Sequence, residues 1–114
     1  MHNVEKAGLT NVEFKLRDVF EGISEKDADL IFCDVAEPEK IIQEMHDALK
    51  EGGYIAAHCL NIEQAKALHL AAEGIFRDVF TLDCTVKEYD VRDFGTRPKH
   101  FGLMHTAYLV FAKK

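Results

Sequence analysis

The longest apolar runs in this sequence, such as Tyr54–Ala57 and Ala107–Ala112, are only a few residues long. A helix needs about 20 apolar residues to cross a bilayer, so no membrane span is expected. Met1–Glu5 has neither a basic start nor an apolar run, and no secretory signal is read there. Cysteine is scarce and odd in number: three residues, none in a CxxC pair. That usage points to free thiols in a reducing, cytoplasmic setting. There is no internal repeat and no low-complexity linker. At 114 residues the chain is read as one domain, 1–114. Asp34, His58, Cys59, His100 and His105 follow no standard ligand spacing, and His58 and Cys59 fall on opposite faces of a strand, so no metal is expected.

The net charge of −6 is uneven. Residues 1–50 hold six basic and twelve acidic side chains, and residues 51–114 hold eight of each. Thr85–Lys114 alone has six basic against three acidic, a local +3. A general nucleic-acid footprint is therefore excluded, and any such surface is confined to the C-terminal third.

What is present reads as alternating strands and helices. Asn3–Leu9 looks like the last turn of a helix, with Gly8 at the left-handed closing position. Val12–Leu16 alternates apolar and charged, the period of a half-buried strand. Leu30–Cys33 is a continuous apolar run, expected for a strand covered on both faces. Pro38 suits the first turn of a helix. Ile41, Ile42, Met45, Ala48 and Leu49 then form one apolar stripe. Gly52-Gly53 turns the chain into a strand at Tyr54–Cys59. Asn61 caps the next helix with Gln64 completing a capping box. Ile62, Ala65, Leu68 and Ala72 mark its inner face, and Gly74 closes it. Asp78–Val91 reads as one long strand, Asp93–Leu103 as a loop, and Thr106–Ala112 as a final strand. No helix separates the last two strands, so they should pair antiparallel. This grammar is α/β, with right-handed crossovers. It places Asp34 at one strand's carboxyl end and His58, Cys59 and Asn61 at another's, the edge where ligands bind in open α/β sheets.

At these residues the chain resembles the S-adenosylmethionine-dependent methyltransferases that modify N1 of an adenine in the T-arm of tRNA. Asn11–Gly22 (NVEFKLRDVFEG) is similar to that family's third strand and acidic turn. Asp34–Glu39 (DVAEPE) resembles its Asp-Leu-Pro-Asp/Glu-Pro-Trp motif. Leu49–Asn61 resembles Leu-Lys-Pro-Gly-Gly through Tyr-Leu-Pro-Asn. Lys87–Val91, Arg97–His100 and His105–Phe111 resemble its C-terminal segment, the most specific of these blocks. The resemblance implies a partial Rossmann-like methyltransferase sheet, mostly parallel with an antiparallel C-terminal strand and lacking the first two strands. It implies Asp34 as the catalytic acid, and Asp18 with Val19 against the cofactor's adenine. It implies His58, Asn61, Arg97, His100 and His105 toward substrate, S-adenosylmethionine as cofactor, and tRNA as partner.

Two departures qualify the expectation. The sequence has no GxGxG, the loop that lets backbone approach the cofactor. Ala36, Glu39, His58 and Leu60 also stand where the family has Pro, Trp, an aromatic and Pro. The chain is therefore expected to be the C-terminal catalytic half, inactive alone. The alternatives are a non-catalytic remnant acting in assembly, or one half of a split enzyme. With its central neighbours missing, the Leu30–Asp34 strand has a bare edge. Either Val12–Leu16 moves in beside it, or chains associate there as a homo-oligomer.

Overall fold

The computed structural model describes residues 1–99 and 106–114. Three helices are present: α1 (His2–Lys6), α2 (Ile42–Ala48) and α3 (Ile62–Glu73). The strands are β1 (Ala28–Cys33), β2 (Leu49–Cys59), β3 (Arg77–Thr85), β4 (Tyr89–Arg92), β5 (Gly95–Pro98) and β6 (Thr106–Lys113). Four strands form one sheet in the order β1-β2-β6-β3. β1 and β2 are parallel, while β6 opposes both β2 and β3. The sheet is thus mostly parallel in direction, with an antiparallel C-terminal strand, as expected.

Local chemistry sets the helix ends. Gly8 takes φ +68, and the N–H groups of Gly8 and Leu9 return to the carbonyls of Glu5 and Val4. This is the glycine-closed helix end foreseen from the sequence. Asn61 accepts from the Gln64 N–H at 2.8 Å to begin α3. Pro38 opens a 3₁₀ turn, Pro38–Ile41, which runs into α2.

Strand pairing sorts the side chains into two faces. Cys33, Ile55, Ala57, Cys59, Val110 and Ala112 point toward α2 and α3 and are buried there with Met45, Leu49, Leu68 and Phe76. Each large aliphatic buried in this way contributes about 1.5–3 kcal/mol. Ile62, the first residue of α3, is the exception on that helix: it is exposed.

The other face carries Leu30, Phe32, Tyr54, Phe80 and Leu82, all exposed. Phe80 stacks on Phe111 with ring centroids 5.0 Å apart. Both helices that follow strands of this sheet pack on one side, so β1 is covered on one face only, not on both.

Three further expectations are corrected. Val12–Leu16 forms no strand; it is an extended, exposed arm. A strand is held by its neighbour's hydrogen bonds, and none lies alongside this segment. It does not insert beside β1, whose outer edge is unpaired among the described residues. Asp78–Val91 is not one strand: β3 ends at Thr85, and the chain then enters a separate β4–β5 hairpin, whose second strand lies in the stretch expected to be loop. Gly52-Gly53 lies inside β2 rather than before it. Ala28 pairs with Leu49 but Leu30 pairs with Tyr54, so β2 carries extra residues there. Gly52, at φ +79, turns that excursion.

Candidate active site

The β1–β2 register decides the geometry. Cys33 pairs with Ala57, so the next residues along, Asp34 and His58, stand side by side at the carboxyl ends of the strands. The Asp34 carboxylate oxygen Oδ1 is 3.7 Å from His58 Nδ1, too far for a hydrogen bond. Asp34 is largely exposed, while His58 Nδ1 is enclosed without a hydrogen-bond partner among the described residues. His58 lies on the open face, and its neighbours Ala57 and Cys59 are buried in the core.

Gln64 organises the backbone around this pair. Its Oε1 accepts from the Leu60 N–H at 2.7 Å, and its Nε2 donates to the carbonyls of Val35, at 3.3 Å, and Ala36. One side chain therefore joins the loop after β1 to the turn after β2. The capping box is only half as expected: Asn61 caps Gln64, but Gln64 reaches Leu60 rather than Asn61. The Ser/Thr/Asx-x-x-Gln signal found the residue but not its reach across the sheet. Glu39 stands where the family resemblance expects Trp. Its Oε2 is enclosed without a hydrogen-bond partner among the described residues.

Cys33 and Cys59 are buried beneath the site. Removal from water pushes both thiols up. They are core residues rather than nucleophiles. Cys84 is exposed, on the edge strand β3.

The remaining candidates stand apart. Asp18 begins a 3₁₀ turn, Val19–Glu21, and its carboxylate accepts from the Phe20 N–H at 3.0 Å. Val19 packs against the core. A concavity of about 540 Å³ lies beside them, lined by residues that include Arg17, Asp18, Gly22 and Ser24. Arg97 is on the β4–β5 hairpin, which shares no strand pairing with the main sheet. His100 and His105 fall outside the described residues. Among the described residues, no three His, Cys, Asp or Glu side chains converge as metal ligands. No helix there is long and apolar enough to cross a membrane.

Comparison with known proteins follows this geometry. Residues 1–94 match the family model described as a methyltransferase domain. A tRNA (adenine(57)-N(1)/adenine(58)-N(1))-methyltransferase of Methanocaldococcus jannaschii is 36% identical over 109 residues, covering 93% of this chain and 38% of that protein. A tRNA (adenine(58)-N(1))-methyltransferase of Thermus thermophilus is 33% identical, covering 93% of this chain and 42% of that protein. Among solved structures, a SAM-dependent O-methyltransferase of Thermotoga maritima superposes with a TM-score of 0.84 at 33% identity, covering 99% of this chain and 43% of that one. A tRNA (m1A58) methyltransferase of Aquifex aeolicus does so with 0.79 at 27% identity, covering 99% and 47%. The chain spans about two fifths of the length of the curated relatives it matches.

Proposed function

The chain belongs to the methyltransferase-domain family, and from that membership we propose that it is the C-terminal catalytic half of an S-adenosylmethionine-dependent tRNA adenine-N1 methyltransferase, inactive alone. Residues 1–114 make up the C-terminal part of one such domain, working in the cytoplasm. The observation that carries this reading is the placement of Asp34 beside His58 at the carboxyl edge of the sheet.

Adenine N1 already has a lone pair, so its methylation chiefly requires alignment. A carboxylate at Asp34 accepts a hydrogen bond from the adenine amino group. That holds the base in place and stabilises the positive charge developing on the ring. His58 supplies a flat ring beside it, in a position where an aromatic would stack. The curated relatives favour a nucleobase nitrogen over an oxygen as acceptor.

The cofactor fits these residues only in part. Asp18 offers an acceptor next to an open concavity, suited to an adenine amino group. No glycine-rich loop exists in the sequence for the methionine end.

The bare edge of β1 and the exposed apolar face of Leu30, Phe32, Tyr54, Phe80 and Leu82 favour a companion polypeptide. Parallel sheets are normally covered on both faces, and an open edge is a template for pairing. The companion is the glycine-rich N-terminal half of the same domain; a split enzyme, with that half encoded separately, is the alternative arrangement. A homo-oligomer, or a non-catalytic assembly role, is the competing reading.

Calorimetry with S-adenosylmethionine tests the incompleteness: the chain alone gives no micromolar binding, and such binding would overturn the reading. Mixing with a separately encoded glycine-rich half should restore methyl transfer to tRNA. Asp34→Asn should then lower the rate about a hundredfold. Activity unchanged by that substitution would remove Asp34 from the mechanism.

A further inference from the structure

The β4–β5 hairpin forms its own two-stranded sheet. Its last pair is Arg92 with Gly95, which leaves Asp93 and Phe94 as a two-residue turn. Asp90 pairs with Arg97 on the same face as Arg92, while Tyr89 and Val91 belong to the other. Phe94 stands at the tip, 87% exposed. The Arg92 guanidinium lies 5.9 Å from its ring centroid. A concavity of about 210 Å³ is lined by Asp90, Arg92, Phe94, Gly95, Thr96 and Arg97. A Cβ at Gly95 would meet nothing within 4 Å, so this face is open next to Arg92.

The charges here are unspent. Lys99 is neutralised by Glu88 at 2.7 Å. Neither Arg92 nor Arg97 has a carboxylate within 4.0 Å among the described residues. The hairpin stretch Thr85–Lys99 holds four basic and three acidic side chains, or +1, whereas residues 1–84 hold eight basic and seventeen acidic side chains, or −9. An anionic partner is therefore steered to this end of the chain. A two-stranded hairpin is marginally stable by itself in water, so docking would also steady it.

We propose that this hairpin is a binding site for one unpaired nucleotide of RNA. The base stacks on Phe94 with the Arg92 guanidinium beside it, and Arg97 holds the adjoining phosphate. Asp90 accepts from a ribose 2′-hydroxyl or an exocyclic amino group. The ligand is unpaired because a duplex keeps its base faces covered, whereas loops splay them onto aromatic and guanidinium planes. Phosphate contact through arginine adds affinity without sequence preference. The proposal rests on the reading that the substrate is RNA. It adds a contact away from Asp34, which takes the reacting base.

The test is fluorescence anisotropy with the full chain, a labelled RNA stem-loop and a blunt RNA duplex of equal length. The stem-loop should bind more tightly than the duplex. Phe94→Ala should weaken the stem-loop about tenfold, and Phe94→Trp should preserve it. Arg97→Ala should lower the logarithmic salt slope by about one. An unchanged melting curve shows that these exposed substitutions leave the fold intact. Absence of stem-loop binding overturns the proposal, as does equal affinity of Phe94→Ala and the parent chain. So does a Phe94→Ala effect on sedimentation mass without one on RNA, which would assign the hairpin to a second copy. A stem-loop with its loop adenines changed to guanine separates the two claims. If Phe94→Ala has no effect but guanine weakens binding, the hairpin site falls and the adenine reading stands. If Phe94→Ala weakens both RNAs and guanine makes no difference, the hairpin site stands and the adenine reading loses its support.

Discussion

The side-chain amide of Gln64 donates to the carbonyl of Val35 at 3.3 Å, across 29 residues of sequence. The same side chain accepts from the Leu60 N–H at 2.7 Å. Asp34 and His58 each stand next to a segment held by this one group. Their mutual placement depends on a helix-capping residue as well as on strand register.

Replacing Gln64 with Glu keeps the acceptor for Leu60 and removes the donor to Val35 and Ala36. Two carbonyls then face a carboxylate. The expected cost is about 1–3 kcal/mol by urea unfolding, with faster amide exchange in residues 35–37 and little change within α3. If α3 loosens first and the loop keeps its protection, Gln64 is only a cap.

Gly53 sits on β2 close against the β1 backbone. A Cβ there would lie 3.0 Å from the carbonyl oxygens of Ala28 and Lys50 and from Leu49 Cδ2. Two of those atoms are backbone and cannot swing aside. Gly53→Ala should cost about 1–3 kcal/mol. Gly95→Ala meets no such atoms at its Cβ and should change stability much less. Equal unfolding midpoints for the two variants would refute the crowding argument.

Acid should loosen the N-terminal arm before the sheet. Lys15 hydrogen-bonds Glu25 at 2.5 Å and pulls its carboxyl down to about 2 from 4.5. The folded value is depressed, so the stabilisation is present above pH 4.5 and is lost as pH falls toward 2. Both groups sit in solvent, so salt should weaken the effect. Side-chain NMR titration of Glu25 should show the low midpoint, and Lys15→Met should raise it. A midpoint near 4.5 in the parent chain would mean the arm is not held this way.

The helices were legible because their signals are local. Gly8 needs only its own left-handed backbone, and Asn61 needs only the N–H three residues on. Met45 and Ala48 on α2, and Ala65, Leu68 and Ala72 on α3, recur at helical spacing, and burial follows from that spacing. The antiparallel β3–β6 pairing was legible too, since no crossover helix lies between those strands. The placement of Asp34 and His58 at strand ends could be read, but their 3.7 Å separation could not. That distance depends on a register in which β2 carries extra residues at Gly52 and Gly53.

The sequence alone determined where the chain turns helical, most of the helix residues that enter the core, and which acid ends β1. Those outcomes depend on spacing and caps a few residues apart. Only the tertiary structure decided which strands have partners. Val12–Leu16 carries a strand's alternation yet remains an arm, whereas Gly95–Pro98 carries a loop's composition yet pairs with Tyr89–Arg92. A strand exists through hydrogen bonds to a neighbour, and a neighbour is a property of the whole fold. For the same reason β1, whose run of apolar residues suits a central strand, stands at an open edge.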